Sequence, residues 1–122
     1  GVVAIFAGKL LKGDPCIIYG TGMQTRDFVY VGDVASAFVA SMENGDGKLL
    51  NIGTGTETSI ENLYEEMALA VGIDSEPERR AERTGEIARS SLDPSLAEEI
   101  LGWKPRTSLK DGIHSTLKWF SQ

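Results

Sequence analysis

One cysteine and one histidine, Cys16 and His114, are all that 122 residues hold of either type. An internal disulfide is excluded, nothing points to an oxidising compartment, and the clustered Cys or paired His that a metal centre needs are missing. No Ser or Cys has a histidine and an acid at a spacing that would bring the three together, so His114 reads as a structural or surface residue. Basic residues are also scarce, twelve against eighteen acidic ones, and the net charge is −6. The field of such a chain repels nucleic acid and anionic membranes, so neither is an expected partner, and an anionic ligand has to find a local basic site. The longest wholly apolar run, VVAIFA at residues 2–7, falls far short of the roughly 20 residues that a membrane-spanning helix requires. No charged segment followed by an apolar one and a cleavage site opens the chain, and the expected location is the cytoplasm.

What is present is ordinary globular composition, with 41% apolar and 25% charged residues. The length supports one domain whose core needs neither metal nor disulfide. The first residue is Gly1, and an apolar helical segment follows at once. The expectation is a chain that starts mid-fold, as a piece of a longer protein or after processing.

Periodicity predicts a helix over 2–12, ended by Gly13 and Pro15, with so wide an apolar surface that it should be buried. CIIYG at 16–20 reads as a short strand, and the turn GTGMQT leads into a second strand over 26–31, where Phe28 and Tyr30 alternate with Asp27 and Val29. Asp33 is the expected N-cap of a helix over 34–43, with Val34, Phe38 and Met42 forming its buried side. KLLNI at 48–52 has the pattern of a buried strand. A Thr/Ser-rich turn then caps a helix over 60–71 with Ile60, Leu63, Tyr64, Met67 and Val71 as its apolar stripe. Asp93-Pro94 starts a short helix with proline at its first position, stopped by Gly102. Ser108 and Asp111 open a last helix, in which Leu109, Ile113, Leu117 and Phe120 face one way. Trp103 and Trp119 are read as packing residues.

Residues 57–78 carry seven acids and no base, the pattern of a solvated face. Arg79, Arg80, Arg83 and Arg89 against Glu82 and Glu86 then give a local balance of +2, the basic site that an anionic ligand would need. Two glycine pairs invite comparison with dinucleotide-binding loops, and neither completes the pattern. Thr25 follows Gly20 and Gly22 where a third glycine should stand, and Thr58 does so after Gly53 and Gly55. Both are read as structural turns. Arg26, beside a tight turn, suits either a bidentate grip on phosphate or a surface salt bridge to Asp27 or a neighbour. Arg83 and Glu86 could pair a phosphate-binding cation with an acceptor of sugar hydroxyl protons, or form a plain ion pair.

Five motifs in series, GVVAIF, GDPCIIYGTGMQTRDFVYVGDVASAF, LLNIGTGTETSI, RTGEIARSSLD and LGWKP…SLKDGI, resemble the C-terminal half of the nucleotide-sugar epimerases and dehydratases of the extended short-chain dehydrogenase group. The likeness covers nearly the whole chain, and is specific for the family more than for the sugar. It implies an α/β fold. Residues 1–122 would form the nucleotide-sugar-binding, C-terminal portion, with elements that pack on a Rossmann domain lying outside them. The family holds NAD in that other domain, where its glycine-rich loop and its Tyr-x-x-x-Lys pair also belong. No tyrosine in this chain has a lysine four residues on, so these residues alone are expected to be inactive.

Carried over by position, the resemblance makes Arg26 and Arg83 ligands of the diphosphate and adjoining ribose, and Glu86 a contact to ribose hydroxyls. Asn51 would line the nucleotide pocket, and the backbone at Ile17 and Tyr19 would meet the base. The family often has Asp where Thr21 and Gly32 stand, and Pro where Thr84 stands, so two turns should be shaped differently. The implied activity is 4-epimerisation of UDP-glucose and UDP-galactose. A tyrosinate takes the hydroxyl proton while NAD takes hydride, and the keto-sugar turns before it is reduced. Dehydration or decarboxylation of a nucleotide-sugar would use much of the same binding half, and a non-catalytic nucleotide-sugar-binding module is the alternative of another class. Homodimerisation is a family-level expectation.

Overall fold

Ser59 and Gly72 define the helix around which the main core is built. The Ser59 hydroxyl accepts from the Asn62 N–H at 3.1 Å, satisfying a donor that has no partner inside the helix. Gly72 ends the helix in the left-handed conformation, φ 73°. Between them Ile60, Leu63, Tyr64 and Met67 fall on one face and are buried. The computed structural model describes residues 1–122. Its helices are α1 (Val2–Lys12), α2 (Val31–Ser41), α3 (Ile60–Val71), α4 (Ser95–Leu101) and α5 (Leu109–Phe120). The strands are β1 (Ile17–Tyr19), β2 (Thr25–Arg26), β3 (Thr58–Ser59) and β4 (Glu78–Arg80). No helix is long and apolar enough to cross a membrane.

α3 is flanked by α1 and α5. Phe6, Ala7 and Leu10 of α1, Cys16 and Ile18 at β1, and Ile113 and Leu117 of α5 close around it. Phe6 meets the Tyr64 ring edge-on at 5.8 Å, and the Tyr64 hydroxyl donates to the Ser75 carbonyl at 2.7 Å. β1 pairs in parallel with β4, and β2 pairs antiparallel with β3. A second, smaller core joins α2 to α4 through Ala37, Ala97 and Trp103. Trp103 Nε1–H donates to the Asp33 carbonyl at 2.9 Å and to Ser36 Oγ at 3.0 Å.

The predicted helices and the strand at 17–19 are present, and several boundaries and faces differ. The strand expected over 26–31 is paired only at Thr25 and Arg26. In this antiparallel register the partners of 27–30 would be residues before Thr58, and there the chain is a turn whose Thr54 and Gly55 N–H groups go to the Asp27 side chain, so 27–30 continue without a ladder. The following helix starts at Val31, placing Asp33 in its first turn instead of at its cap. The buried Asp33 carboxylate accepts from Thr107 N–H at 3.0 Å and from its hydroxyl at 3.2 Å. α2 buries Ala37 against Trp103, so Phe38 and Met42, expected inside, are 71% and 81% exposed.

KLLNI is not a strand. No neighbouring backbone offers it a ladder, although Leu50 and Ile52 pack on the smaller core while Leu49 points outward. Pro94 is itself the cap of α4, and the Asp93 carboxylate accepts from the Ser95 N–H at 3.0 Å. Trp119 lies exposed, edge-on to Phe120, and is not a core residue. β4 was unforeseen, because Glu-Arg-Arg is a poor strand by composition and pairs only because β1 offers it an edge.

Asp27 ties three distant segments together. Its carboxylate accepts from the N–H groups of Thr54 and Gly55 at 3.0 Å, from the Leu92 N–H at 3.2 Å, and from the Thr54 hydroxyl. A Cβ at Gly53 would come within 2.8 Å of Asp27 Oδ2 and 2.9 Å of the Leu92 side chain, so only glycine fits. Burial alone would raise the Asp27 carboxyl, but the hydrogen bonds from Thr54, Leu92 and Gly55 outweigh it and hold the pKa below the ordinary value.

The stabilisation from a depressed carboxyl is complete above its unfolded pKa, roughly 3.9, and is lost as pH falls through the lower folded value. Asp27→Asn is therefore expected to cost about 1–3 kcal/mol in urea unfolding at neutral pH, since it leaves donors unmatched. The variant should also lose stability less steeply than the wild type in acid. Equal acid slopes for the two proteins would show that Asp27 is not the anchor.

Candidate functional site

The loop over 81–92 carries Arg83 and Glu86, and it is clamped to β2. The Thr25 N–H donates to the Ala88 carbonyl at 2.9 Å. Arg26 Nη1 donates to its neighbour's Thr25 carbonyl at 2.6 Å and across to the Ile87 carbonyl at 2.7 Å. Arg89 grips Glu57 with two bonds, Nε to Oε1 at 2.9 Å and Nη2 to Oε2 at 2.6 Å, and the Thr25 hydroxyl donates to the same carboxylate. Hydrogen bonds from Arg89 and Thr25 hold the Glu57 pKa down at about 2.

This clamp places Arg26 and Arg83 on either side of one carboxylate. Glu86 Oε1 lies 3.7 Å from Arg26 Nη2 and 3.8 Å from Arg83 Nη2. The Arg83 guanidinium rests over the Tyr19 ring, 4.3 Å from its centroid, a cation–π contact. All of these residues line a cavity of about 900 Å³ whose opposite wall is apolar, built from α1, Phe28 and Ile60. Lys9 and Gln24 line it too. A local excess of positive charge thus stands in a chain of net charge −6. The groove between α3 and the following segment 72–77, about 630 Å³, is lined by Glu61, Glu65, Asp74 and Glu76 and has the opposite sign.

Strand β1 presents its free edge to the cavity. Cys16 and Gly20 bond to β4, with Glu78 N–H to the Cys16 carbonyl at 2.8 Å and Gly20 N–H to the Arg80 carbonyl at 2.9 Å. In a parallel ladder, alternate residues face one partner, so Ile18 also faces β4, and the peptide groups of Ile17 and Tyr19 turn the other way. Along this edge the order is N–H of Ile17, C=O of Ile17, N–H of Tyr19. The next acceptor, the Tyr19 carbonyl, is taken by Gln24 Nε2 at 3.0 Å.

Of the residues singled out in the sequence, Ile17, Tyr19, Arg26, Arg83 and Glu86 meet at one cavity. Asn51 does not join them, and stands exposed on the segment beside the smaller core. The salt bridge from Arg26 runs to Glu86, not to the adjacent Asp27. Lys9 and Gln24 were missed, since a lysine late in a helix and a glutamine in a turn carry no signal of their own. The glycine turns do not fit a dinucleotide. The N–H groups of Thr54 and Gly55 are already given to Asp27, and Gly22 approaches the Glu61 carboxylate so closely that a Cβ there would lie 2.6 Å from it. These residues do not fit NAD as its own binding site.

The family model described as GDP-mannose 4,6 dehydratase matches residues 2–116. The chain belongs to this family. Within it, the chain is 47% identical over 121 residues to UDP-glucose 4-epimerase of Mycolicibacterium smegmatis, covering 98% of this chain and 39% of that one. It is 33% identical over 128 residues to dTDP-D-glucose 4,6-dehydratase of Bos taurus, covering 99% of this chain and 36% of the relative. The crystal structure of UDP-glucose 4-epimerase from Thermotoga maritima with UDP-glucose superposes with a TM-score of 0.96 at 41% identity, over 99% of this chain and 39% of that one. The chain therefore spans about two fifths of the length of these relatives. The resemblance drawn from the five motifs, and the epimerase/dehydratase fold it implied, are borne out.

The Glu57 carboxyl is expected to titrate near 2 by carbon NMR, so its ion pair persists as pH falls through the ordinary carboxylate range and is lost only near that lower value. In Arg89→Gln the titration should rise toward the ordinary value of 4.5, with faster exchange of the Thr25 amide, which donates to the Ala88 carbonyl across the clamp. An unchanged titration would remove Arg89 from the clamp.

Proposed function

We propose that residues 1–122 are the nucleotide-sugar-binding C-terminal region of an NAD-dependent 4-epimerase of the cytoplasm, acting on UDP-glucose and UDP-galactose. The observation that carries the reading is the β1 edge beside two arginines. Donor, acceptor and donor, in the order Ile17 N–H, Ile17 C=O and Tyr19 N–H, complement the acceptor–donor–acceptor edge of uracil. Cytosine, with an amino group at one end of that edge, mismatches it, and such mismatches leave buried polar groups unpaired. A diphosphate attached to that base would then lie toward Arg26 and Arg83, whose planar forks suit phosphate oxygens.

NAD would be held by the part of the intact enzyme outside these residues. What this chain contributes is an anchor. With base and diphosphate gripped, the sugar is free to turn at its linkage without leaving the enzyme. The uncovered apolar side of α2, Val31, Phe38, Val39 and Met42, each more than two thirds exposed, would pack on that other part, as the greater length of the relatives supports.

The test is product analysis with the intact enzyme. Conversion of UDP-glucose to UDP-galactose is expected, while a 4-keto-6-deoxy product would make it a dehydratase, the reading that the dehydratase relatives favour. Arg26→Ala and Arg83→Ala should each raise KM about 30-fold, the equivalent of about 2 kcal/mol for one charged contact. Unchanged KM and kcat in both would refute the binding roles. Phe38→Asp should lower the yield of folded enzyme, whereas an unaffected melting temperature would mean that α2 faces solvent.

A further inference from the structure

The carboxylate of Glu86 stands between the two guanidinium groups to which the proposed function assigns a diphosphate. A single oxygen, Oε1, faces both guanidinium groups, at 3.7 Å and 3.8 Å. These are ion-pair separations and too long for hydrogen bonds, so charge holds the carboxylate between the arginines and neither one locks it. The arginines do not depend on it for their own positions. Arg26 is fixed by the carbonyls of Thr25 and Ile87, and Arg83 by the Tyr19 ring. The Glu86 side chain is 14% exposed, so water offers it little if its partners are taken away.

Resting on the nucleotide-sugar reading, we infer that Glu86 is an internal counter-ion that fills the diphosphate position in the free protein and makes recognition of phosphate depend on recognition of ribose. An arriving diphosphate sets negative charge against the carboxylate, which must swing aside. Once aside it needs a hydrogen-bond donor, because a poorly hydrated charge without one is costly. Ribose hydroxyls next to the diphosphate are such donors, and an inorganic polyphosphate brings none. Glu86 therefore penalises every phosphate ligand and returns the loss only to one that carries the sugar. Two arginines and a lysine in a cavity would otherwise be a general anion trap.

The experiment is calorimetric titration of the intact protein with UDP and, separately, with inorganic pyrophosphate. Glu86→Gln removes the charge with little change of shape, and Glu86→Ala serves if that variant folds poorly. Glu82→Gln, an exposed neighbour on the same loop, is the control for a general change in field. Pyrophosphate affinity should rise about tenfold in the Glu86 variants, UDP affinity should not rise, and Glu82→Gln should leave the ratio of the two unchanged. Unchanged or weaker pyrophosphate binding in the Glu86 variants, with UDP still bound by the wild type, would overturn the counter-ion role alone, as would the same gain in Glu82→Gln. Failure of the wild type to bind UDP would overturn the nucleotide-sugar reading and this inference with it.

Discussion

Everything at the cavity depends on one carboxylate that is not in it. Asp27 collects the N–H groups of Thr54, Gly55 and Leu92, and so fixes where three otherwise irregular segments lie relative to β2. Side chains alternate along extended chain. With Asp27 pinned to one side, Arg26 is directed to the other, against the Ile87 carbonyl and Glu86. A half-buried structural anchor and a cavity-lining cation are thus adjacent residues on opposite sides of the chain. The same anchor explains why the Gly53–Gly55 turn resembles a phosphate loop without being free to act as one. Its anion is already in place, supplied by the protein.

The site also shows how an acidic protein can offer an anion a favourable place. Eighteen acids outnumber twelve bases over the whole chain, yet much of the acid near the cavity is neutralised by fixed pairs, Glu57 with Arg89 and Glu61 with Arg79. Arg26 and Arg83 are left facing a single weakly held carboxylate. The relatives, epimerases and dehydratases alike, share this region of the fold.

Elements with strong local rules were legible in the sequence. α3, bracketed by Ser59 and Gly72, begins and ends where its cap and its glycine say, and α5 follows Ser108 in the same way, with its hydroxyl accepting from the Asp111 N–H at 3.1 Å. What could not be read was anything decided by a partner. Residues 27–30 alternate like a strand, but β3 is too short to pair them. KLLNI has the composition of a strand and no neighbour. The face of α2 was misread because Trp103, seventy positions away from Asp33 in sequence, selects Ala37 for the inside. At the cavity, Arg26, Arg83 and Glu86 were legible as charges beside turns. Lys9 and Gln24 were not, since their presence there follows from how α1 and the 20–24 turn are folded. Asn51, on the segment that finds no ladder, stands exposed and apart from the cavity.

The division of the interior into two cores has a consequence for how the protein breathes. Twelve buried residues hold α1, β1, α3 and α5 together, and only three, Ala37, Ala97 and Trp103, hold α2 to α4. A unit secured by so little apolar contact opens at a lower free energy than the whole. Amide exchange in α4 and the early turns of α2 should therefore report a partial unfolding that leaves α3 protected. The cavity is built on the larger unit, through β1 and Ile60. The cavity would thus survive excursions of the smaller unit, and the region most free to adjust is the one that carries the uncovered side of α2.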